Sequence, residues 1–267
     1  MVNKEKEELY FKNTSQNKLR IGVTNLSGNI GKSLVSDYLL RMNMEFQAHY
    51  LISSQDMNHQ SYSDKIIVSG ENFNEVLKDL GNLNSAIIDI SAHSTDRVIK
   101  VMQNNINFHK VFDYFLIPVV KGRKESEDSL NTIKALLKLG VPPESIKIIF
   151  NNNNFLEVIN EEFEYLLSHL DELKIPYDTN AAIENNPLYS MLSDLDMSLP
   201  ELLSIPIEEK KVRQKYLRTK KITERTEQES EELKILINLI TAWRYAQTAV
   251  SNLNNVYHCI FAKPEKH

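Results

Sequence analysis

Residues 24–34 read TNLSGNIGKSL, and the reading of this stretch decides the fold. The triplet Gly31-Lys32-Ser33 follows Gly28. The position five residues before Gly31, where a phosphate-binding loop ordinarily has a glycine, holds Leu26. Such a loop works because successive backbone N–H groups converge on phosphate oxygens at the start of a helix. No part of that task needs a side chain at Leu26. In this pattern Gly28 and Gly31 let the chain curl, Lys32 reaches the terminal phosphates, and the Ser33 hydroxyl ligates Mg2+. A Gly-Lys-Ser triplet alone also occurs on ordinary surface turns, so its context has to carry the argument.

The flanking sequence supplies that context. KLRIGVTN, residues 18–25, is a short β run. KSLVSDYLLRM, residues 32–42, places Leu34, Val35, Tyr38, Leu39 and Met42 at helical spacing. The alternation then continues. AHYLIS and KIIVSG read as strands and NFNEVLKDLGNL as a helix. SAIIDIS is a buried-type strand ending near Asp89. STDRVIKVMQNN is a helix with Ser94 or Thr95 as cap, and FDYFLIPVV is the longest strand. SEDSLNTIKALLKLG is a helix stopped by Gly140, and SIKIIFNNN is another strand. Strands alternating with helices predict an α/β fold with a mostly parallel central sheet covered on both faces. FLEVINEEFEYLLSHLDELK reads as one amphipathic helix, IPYDTNAAIENNPLYSML as a last strand and loop, and MSLPELLSIPIEE, with Pro200 and Pro206, as a break.

Beyond the break, residues 208–262 predict a long helical extension in two parts. Glu208 to Arg225 carries eight basic and three acidic residues, so 210–225 is a candidate for weak contact with DNA phosphates, or simply a solvated face. From Leu236 the apolar residues Leu239, Trp243, Ala246, Val250, Leu253, Tyr257 and Ile260 follow in alternating steps of three and four, a heptad seam. The seam serves either a homodimer or packing on the chain's own N-terminal domain. The bulk of Trp243 and Tyr257 favours the latter. The expected organisation is a polar leader at 1–18, a nucleotide-binding domain at 19–200, and the extension at 201–267.

Composition removes several alternatives. The 267 residues are 42% hydrophobic and 25% charged with a formal net charge of −5, ordinary values for a globular chain with no global case for nucleic acid or membrane. The single cysteine, Cys259, allows no internal disulfide, and with no apolar signal core the expectation is a cytoplasmic protein without a membrane span. The seven histidines show no metal-ligand spacing, and His93 reads as a surface-turn residue.

The loop, aligned on Gly31-Lys32-Ser33, resembles the deviant P-loop of the ParA/MinD superfamily of ATPases, N-x-K-G-G-x-G-K-[ST]. That pattern also lacks the distant glycine. IIDIS, DYFLIPVV and KIIFNNN resemble that superfamily's later strands. NLSGNIGKS is still more similar to the StbB branch of plasmid stability proteins, as are DYFLIPVV, DSLNTIKALLKLGVPPESIKIIFN and NNPLYSML, so the similarity covers most of the chain from about Leu19.

The resemblance implies a P-loop NTPase fold and ATP and Mg2+ as cofactors. It makes Ser27, Gly28, Asn29, Ile30, Gly31, Lys32, Ser33 and Leu34 the nucleotide-binding loop and Asn151 (or Asn152) the adenine-side residue. Ser33 would hold Mg2+ directly and Asp89 through water, with Lys32 and Asp56 as catalytic residues. It also implies a role in plasmid stability or partition with some influence on conjugation, and a plasmid-encoded DNA-binding partner.

Two positions depart from the ParA pattern. Ser27 replaces the lysine that reaches a partner subunit's nucleotide, and a hydroxyl cannot replace a long cation. Asn29 replaces a glycine, and asparagine tolerates positive φ better than most residues. A nucleotide-gated adaptor with little turnover is the first alternative. A small-molecule kinase or synthetase on the same fold is the second.

Overall fold

The computed structural model describes residues 18–53, 65–105, 107–153 and 158–261, which divide into two compact units. The first holds everything described up to Glu184 together with the residues from Asn254 onward. The second spans Asn185–Leu253.

The first unit is built on seven strands: β1 Arg20–Val23, β2 Ala48–Ser53, β3 Ile66–Ser69, β4 Ala86–Ile90, β5 Tyr114–Val119, β6 Ile146–Asn153 and β7 Ala182–Glu184. All pair in parallel, in the order β3-β2-β4-β1-β5-β6-β7. The helices between them are α1, a continuous run through Lys32–Leu34, Val35–Leu40 and Arg41–Asn43; α2 Phe73–Leu80; α3 Ala92–Asn104; α4 Arg123–Lys138; and α5 Glu164–Glu172. This is an α/β fold with an all-parallel sheet. A parallel sheet needs cover on both faces, and β1, β4 and β5 accordingly read as nearly continuous apolar runs whose residues are almost wholly buried. From β1 the chain first builds the β2–β4 side and then crosses to β5–β7. Helix α1 leads from β1 toward the β2 side, whereas α2 to α5 each lead back toward the β7 edge, so with right-handed crossovers α1 lies on one face and α2 to α5 share the other, where Val76, Val98, Leu130 and Leu166 join one core. Loops leaving the carboxyl ends of β1 and β4 therefore meet at the switch point, where ligands of open α/β sheets bind. Register fixes the detail: Val23, the last residue of β1, lies beside Asp89 of β4.

Most predicted elements appear, with four corrections. The longest strand is β6, with eight residues against six in β5. Helix α3 starts at Ala92 with Ser91 as N-cap, so Ser94 and Thr95 sit in its first turn instead of capping it. The single helix predicted over 155–174 is interrupted: Ile159–Glu162 and α5 are separated at Phe163, whose ψ of 15° breaks the run. Helix α1 is not regular. It opens as an α turn at Lys32–Leu34, widens to a π segment at Val35–Leu40 and closes as α at Arg41–Asn43. A wider turn rotates the buried face away from strict 3.6 periodicity. Val35, Ser36, Leu39 and Leu40 are buried, whereas Leu34, Tyr38 and Met42 are only partly covered.

Gly140 ends the run of α4 as predicted. It adopts φ 92°, with Val141 N–H bonded to Leu136 C=O (3.1 Å) and Gly140 N–H to Leu137 C=O (2.9 Å), the pairing of a Schellman motif. Gly22 in β1 is needed for a different reason: a Cβ there would lie 2.9 Å from the Phe115 ring of β5. The last turns of the chain's final helix also belong to this unit, where Phe261 packs edge-on against Tyr114 at 5.3 Å. Burial and the neighbouring Asp178 raise the pKa of the Cys259 thiol, which keeps it protonated.

The second unit is helical: α6 Leu188–Asp194, α7 Leu199–Ser204, α8 Ile207–Thr219, and α9 Glu227–Phe261 as far as Leu253. The stretch expected as a break contains α7, started by a capping box between Ser198 and Glu201. The long extension is two helices instead of one, turned back through Ile222–Glu224. Arg213 of α8 makes a bidentate pair with Glu232 of α9 (2.8 and 2.7 Å), and Lys220 pairs with Glu229. Lys211 bonds Glu208 (2.6 Å) and lies over the Trp243 ring, while Lys221 faces Glu224. Arg225 donates to the carbonyls of Leu217 and Lys220. Much of the basic character of residues 210–225 is therefore committed within the hairpin. The seam from Leu236 to Ile260 is largely buried in a single copy of the chain. Ile240, Ala242, Ala249 and Val256 are buried with it, a wider face than a two-stranded seam uses. Among the described residues, no helix is long and apolar enough to cross a membrane.

Candidate functional site

The loop between β1 and α1 is held from below by neutral hydrogen bonds. Asn25 is completely buried. Its amide nitrogen donates to Pro118 C=O (3.0 Å) and to Ser129 Oγ (2.7 Å), and its Oδ1 accepts from Ser27 N–H (2.9 Å). Leu26 N–H donates to Thr132 Oγ1 (3.0 Å). Thr95 Oγ1 of α3 lies within 3.3 Å of Asn25 C=O and 3.1 Å of Thr24 Oγ1. Ser126, Ser129 and Thr132 make a buried hydroxyl stripe on α4. Their spacing of three in SEDSLNT, running into the buried positions Ile133 and Leu136 of the same helix, is the signal by which the sequence could have revealed the anchor.

Above this anchor the chain curls at two residues. Asn29 has φ 54° and Gly31 has φ 88°, both left-handed. Gly28, expected to help the curl, is not among the described residues with positive φ, and a Cβ there would meet nothing within 4 Å. Gly31 is required twice over, because a Cβ at this position would also collide with the Asn151 amide. Ile30 is buried, and its carbonyl accepts from Asn151 Nδ2 (2.9 Å). In this arrangement the Asn151 amide is used against the loop itself. The first bond of α1 runs from Val35 N–H to Gly31 C=O (3.0 Å), so the amides of Lys32, Ser33 and Leu34 precede the helical ladder.

Lys32 is only 8% exposed. Its ammonium turns back onto the loop, donating to Ser27 C=O (2.6 Å) and Asn25 C=O (3.4 Å). Burial lowers its pKa to about 8, an effect only partly offset by Asp89. A buried cation served by carbonyls lacks counter-charge, and a phosphate would supply it. Ser27 is itself buried, so no side chain at this position extends from the loop.

Beside the loop lies a charged cluster that sequence reasoning did not foresee. Asp89, at the end of β4, is 1% exposed and accepts from Ser36 Oγ (2.8 Å). Ser33 is exposed, and its carbonyl accepts a second contact from Ser36 Oγ (3.2 Å). Lys65, immediately before β3, places its ammonium 2.7 Å from the Asp37 carboxylate of α1 and 3.8 Å from Asp89 Oδ2. Burial raises the Asp37 pKa and Asp89 adds to the rise, with Lys65 opposing both. His49 of β2 is 1% exposed, with Nε2 3.9 Å from Asp37 Oδ1. Neither ring nitrogen has a hydrogen-bond partner among the described residues, and burial lowers its pKa to about 3, so it is neutral.

The structure thus brings together Ser27 through Leu34, Asn151 and Asp89. Asp56 lies outside the described residues. His93 is exposed and borders a hollow of about 690 Å3 with Ser69, Gly70, Arg97 and Lys100. None of Gly28 to Ser33 lines that hollow.

The donor set fits Mg-triphosphate chemistry. Amides at the start of a 12-residue helical run and an undercompensated lysine suit an anion. The Asp89 carboxylate and the Ser33 hydroxyl are hard oxygen donors suited to Mg2+. Among the described residues, no cluster of three or more His, Cys, Asp or Glu is arranged to hold a metal by itself.

The chain matches no protein-family model and no curated protein sequence. Solved structures similar to it include the ATP complex of a Cyanothece McdA variant, with 15% identity and a TM-score of 0.44 over 70% of this chain and 91% of that one. Another is the MinC:MinD cell division complex of Aquifex aeolicus, with 13% identity and a TM-score of 0.44 over 70% and 88%. MinD of Aquifex aeolicus is similar at 12% identity, with a TM-score of 0.42 over 84% and 95%. At such values the likeness adds nothing to the functional case, which rests on the loop and its neighbours.

Proposed function

We propose that this chain is a ParA-like P-loop ATPase that binds Mg-ATP through Ser27–Leu34 and serves plasmid stability or partition. The observation that carries the nucleotide reading is the loop itself. Asn29 and Gly31 are left-handed and curl the chain, the amides of Lys32, Ser33 and Leu34 precede the helical ladder, and Lys32 is buried with a charge that Asp89 only partly compensates. Binding requires Lys32 to leave the carbonyls of Ser27 and Asn25 for the terminal phosphates. Asn151 lies close enough to the loop to respond to the same event. Mg2+, when bound, neutralises phosphate charge, with Ser33 and Asp89 as its holders on the protein side. The plasmid role, its influence on conjugation and a plasmid-encoded DNA-binding partner rest on the resemblance of NLSGNIGKS and the later stretches to StbB. Ionic pairing inside the α8–α9 hairpin argues that contact of residues 210–225 with DNA is weak or indirect.

The test is binding of a fluorescent ATP analogue with Mg2+, and phosphate release with and without plasmid DNA and candidate partners. Wild type is expected to bind and Lys32→Ala to lose binding. Equal binding by the two proteins defeats the proposal. A second reading, an adaptor gated by ATP with little hydrolysis, is favoured by the buried, short Ser27, which offers no cation to a partner subunit. Tight binding with no phosphate release under any of these conditions selects it.

A further inference from the structure

The Lys65 ammonium sits between two carboxylates, 2.7 Å from Asp37 and 3.8 Å from Asp89, and its side chain is only 12% exposed. The nucleotide site as proposed needs Asp89 for Mg2+ but assigns no role to Lys65 or Asp37. A lysine placed there has a physical consequence. Asp37, Asp89 and Lys65 together carry a net charge of −1, so the cluster attracts a divalent cation less than the two carboxylates alone would. Asp89 also has a resident cation as competitor.

We infer that Lys65 is a positioning residue of the nucleotide site: its ammonium is a built-in counter-ion shared by Asp37 and Asp89, and it sets how much Mg2+ the site requires. This rests on the Mg-ATP reading above. Asp37 is the second half of the device. It draws Lys65 away from Asp89, to the shorter of the two distances, and so leaves Asp89 partly available. Ser36 helps by holding Asp89 Oδ2 in place at 2.8 Å. The strand position follows the same logic. Lys65 precedes β3, which pairs with β2, and β2 pairs with β4, so the sheet brings its side chain toward the end of β4 from two strands away.

Charge counting gives the two substitutions opposite signs. Lys65→Met leaves −2 at the cluster and removes the competitor. Asp37→Asn leaves 0 and hands Lys65 to Asp89 alone. Unit charges about 4 Å apart at an effective dielectric of about 20 interact strongly enough to change an equilibrium at least tenfold. The experiment measures the Mg2+ concentration giving half-maximal binding of a fluorescent ATP analogue. Lys65→Met is expected to lower it about tenfold, Asp37→Asn to raise it about tenfold, and Lys65→Arg to leave it near wild type. A merely structural role would shift both charge variants the same way, and that result, or no shift in either, overturns the inference.

If Lys65→Met does not fold, Asp37→Asn decides by itself. A raised requirement supports the inference, and an unchanged or lowered one overturns it. If wild type binds no nucleotide, the Mg-ATP reading fails separately. Thermal unfolding without nucleotide then decides: added Mg2+ should raise the midpoint of Lys65→Met and not that of wild type. Equal response of the two proteins overturns the inference.

Discussion

The two flanks of the loop are built from different chemistry. On the β5–α4 side every contact is between neutral groups: Asn25 with Pro118 and Ser129, and Leu26 with Thr132. On the β4–β2 side lie Asp89, Asp37, Lys65, Lys32 and the neutral His49, whose ring nitrogens have no hydrogen-bond partner among the described residues. The contrast assigns a task to each. Neutral hydrogen bonds that are fully satisfied fix a backbone path and do not respond to a ligand's charge. Buried charges with imperfect compensation are costly, and they are where an arriving phosphate or cation changes the energy most. On the proposed reading, one flank sets the shape and the other would register the ligand.

Breaking the neutral flank should have the largest effect on stability. Asn25→Ala leaves Ser129 Oγ, Pro118 C=O and Ser27 N–H without their partner, and at about 1 kcal/mol or more for each buried group the loss is about 3 kcal/mol. Urea denaturation measures it, and a change below about 1 kcal/mol would show that the anchor is not structural.

The charged flank should reveal itself through pH. The Lys32 pKa is depressed to about 8 in the folded chain, against 10.5 as its ordinary value. Below about pH 8 the group is charged both folded and unfolded, and the cost of burying it is fully present. As pH rises from about 8 toward 10.5 the native chain holds fewer protons than the unfolded one, and this site's contribution to stability improves. A bound phosphate favours the charged form. Nucleotide affinity should therefore be level below about pH 8 with respect to this group and fall above it, by up to about tenfold per pH unit. Titration of fluorescent-nucleotide affinity between pH 7 and 9.5 checks the sign; a rise across that window contradicts it.

The smallest expected effect is at His49. Replacing a buried ring whose nitrogens are both unpartnered among the described residues by an apolar one of similar size removes a desolvation cost. His49→Phe is expected to stabilise the chain by about 1 kcal/mol in the same urea experiment, without altering nucleotide affinity. A loss of affinity would instead make His49 a working part of the cluster.

Much of this fold can be read directly along the chain. TNLSGNIGKSL between an apolar run and a helical period, followed by alternating strand and helix patterns, defines a parallel sheet with a phosphate-type loop at its carboxyl edge. Asn29 is legible as well, because few residues other than glycine adopt φ near 54° without penalty. These features are local: they depend on residue spacing and on backbone sterics over a few positions.

The rest depends on elements far apart in sequence. The π segment that buries Ser36 instead of Tyr38 is set by packing against the sheet, not by periodicity. The folding of the extension into the α8–α9 hairpin buries Leu217 with Leu233 and Leu236, and it sets exposed ion pairs such as Arg213 with Glu232 alongside, whose basic halves a charge count over one window reports only as basic excess. Above all, Lys65 and Asp37 are 28 residues apart, and Asp89 lies 24 residues beyond Lys65. Only the strand order β3-β2-β4-β1 draws them to one point. Residue spacing picked out the curled loop between β1 and α1. The sheet's order decided which charges surround it, because a side chain's electrostatic neighbours are set by distance in space, and the chain's local pattern does not record that distance.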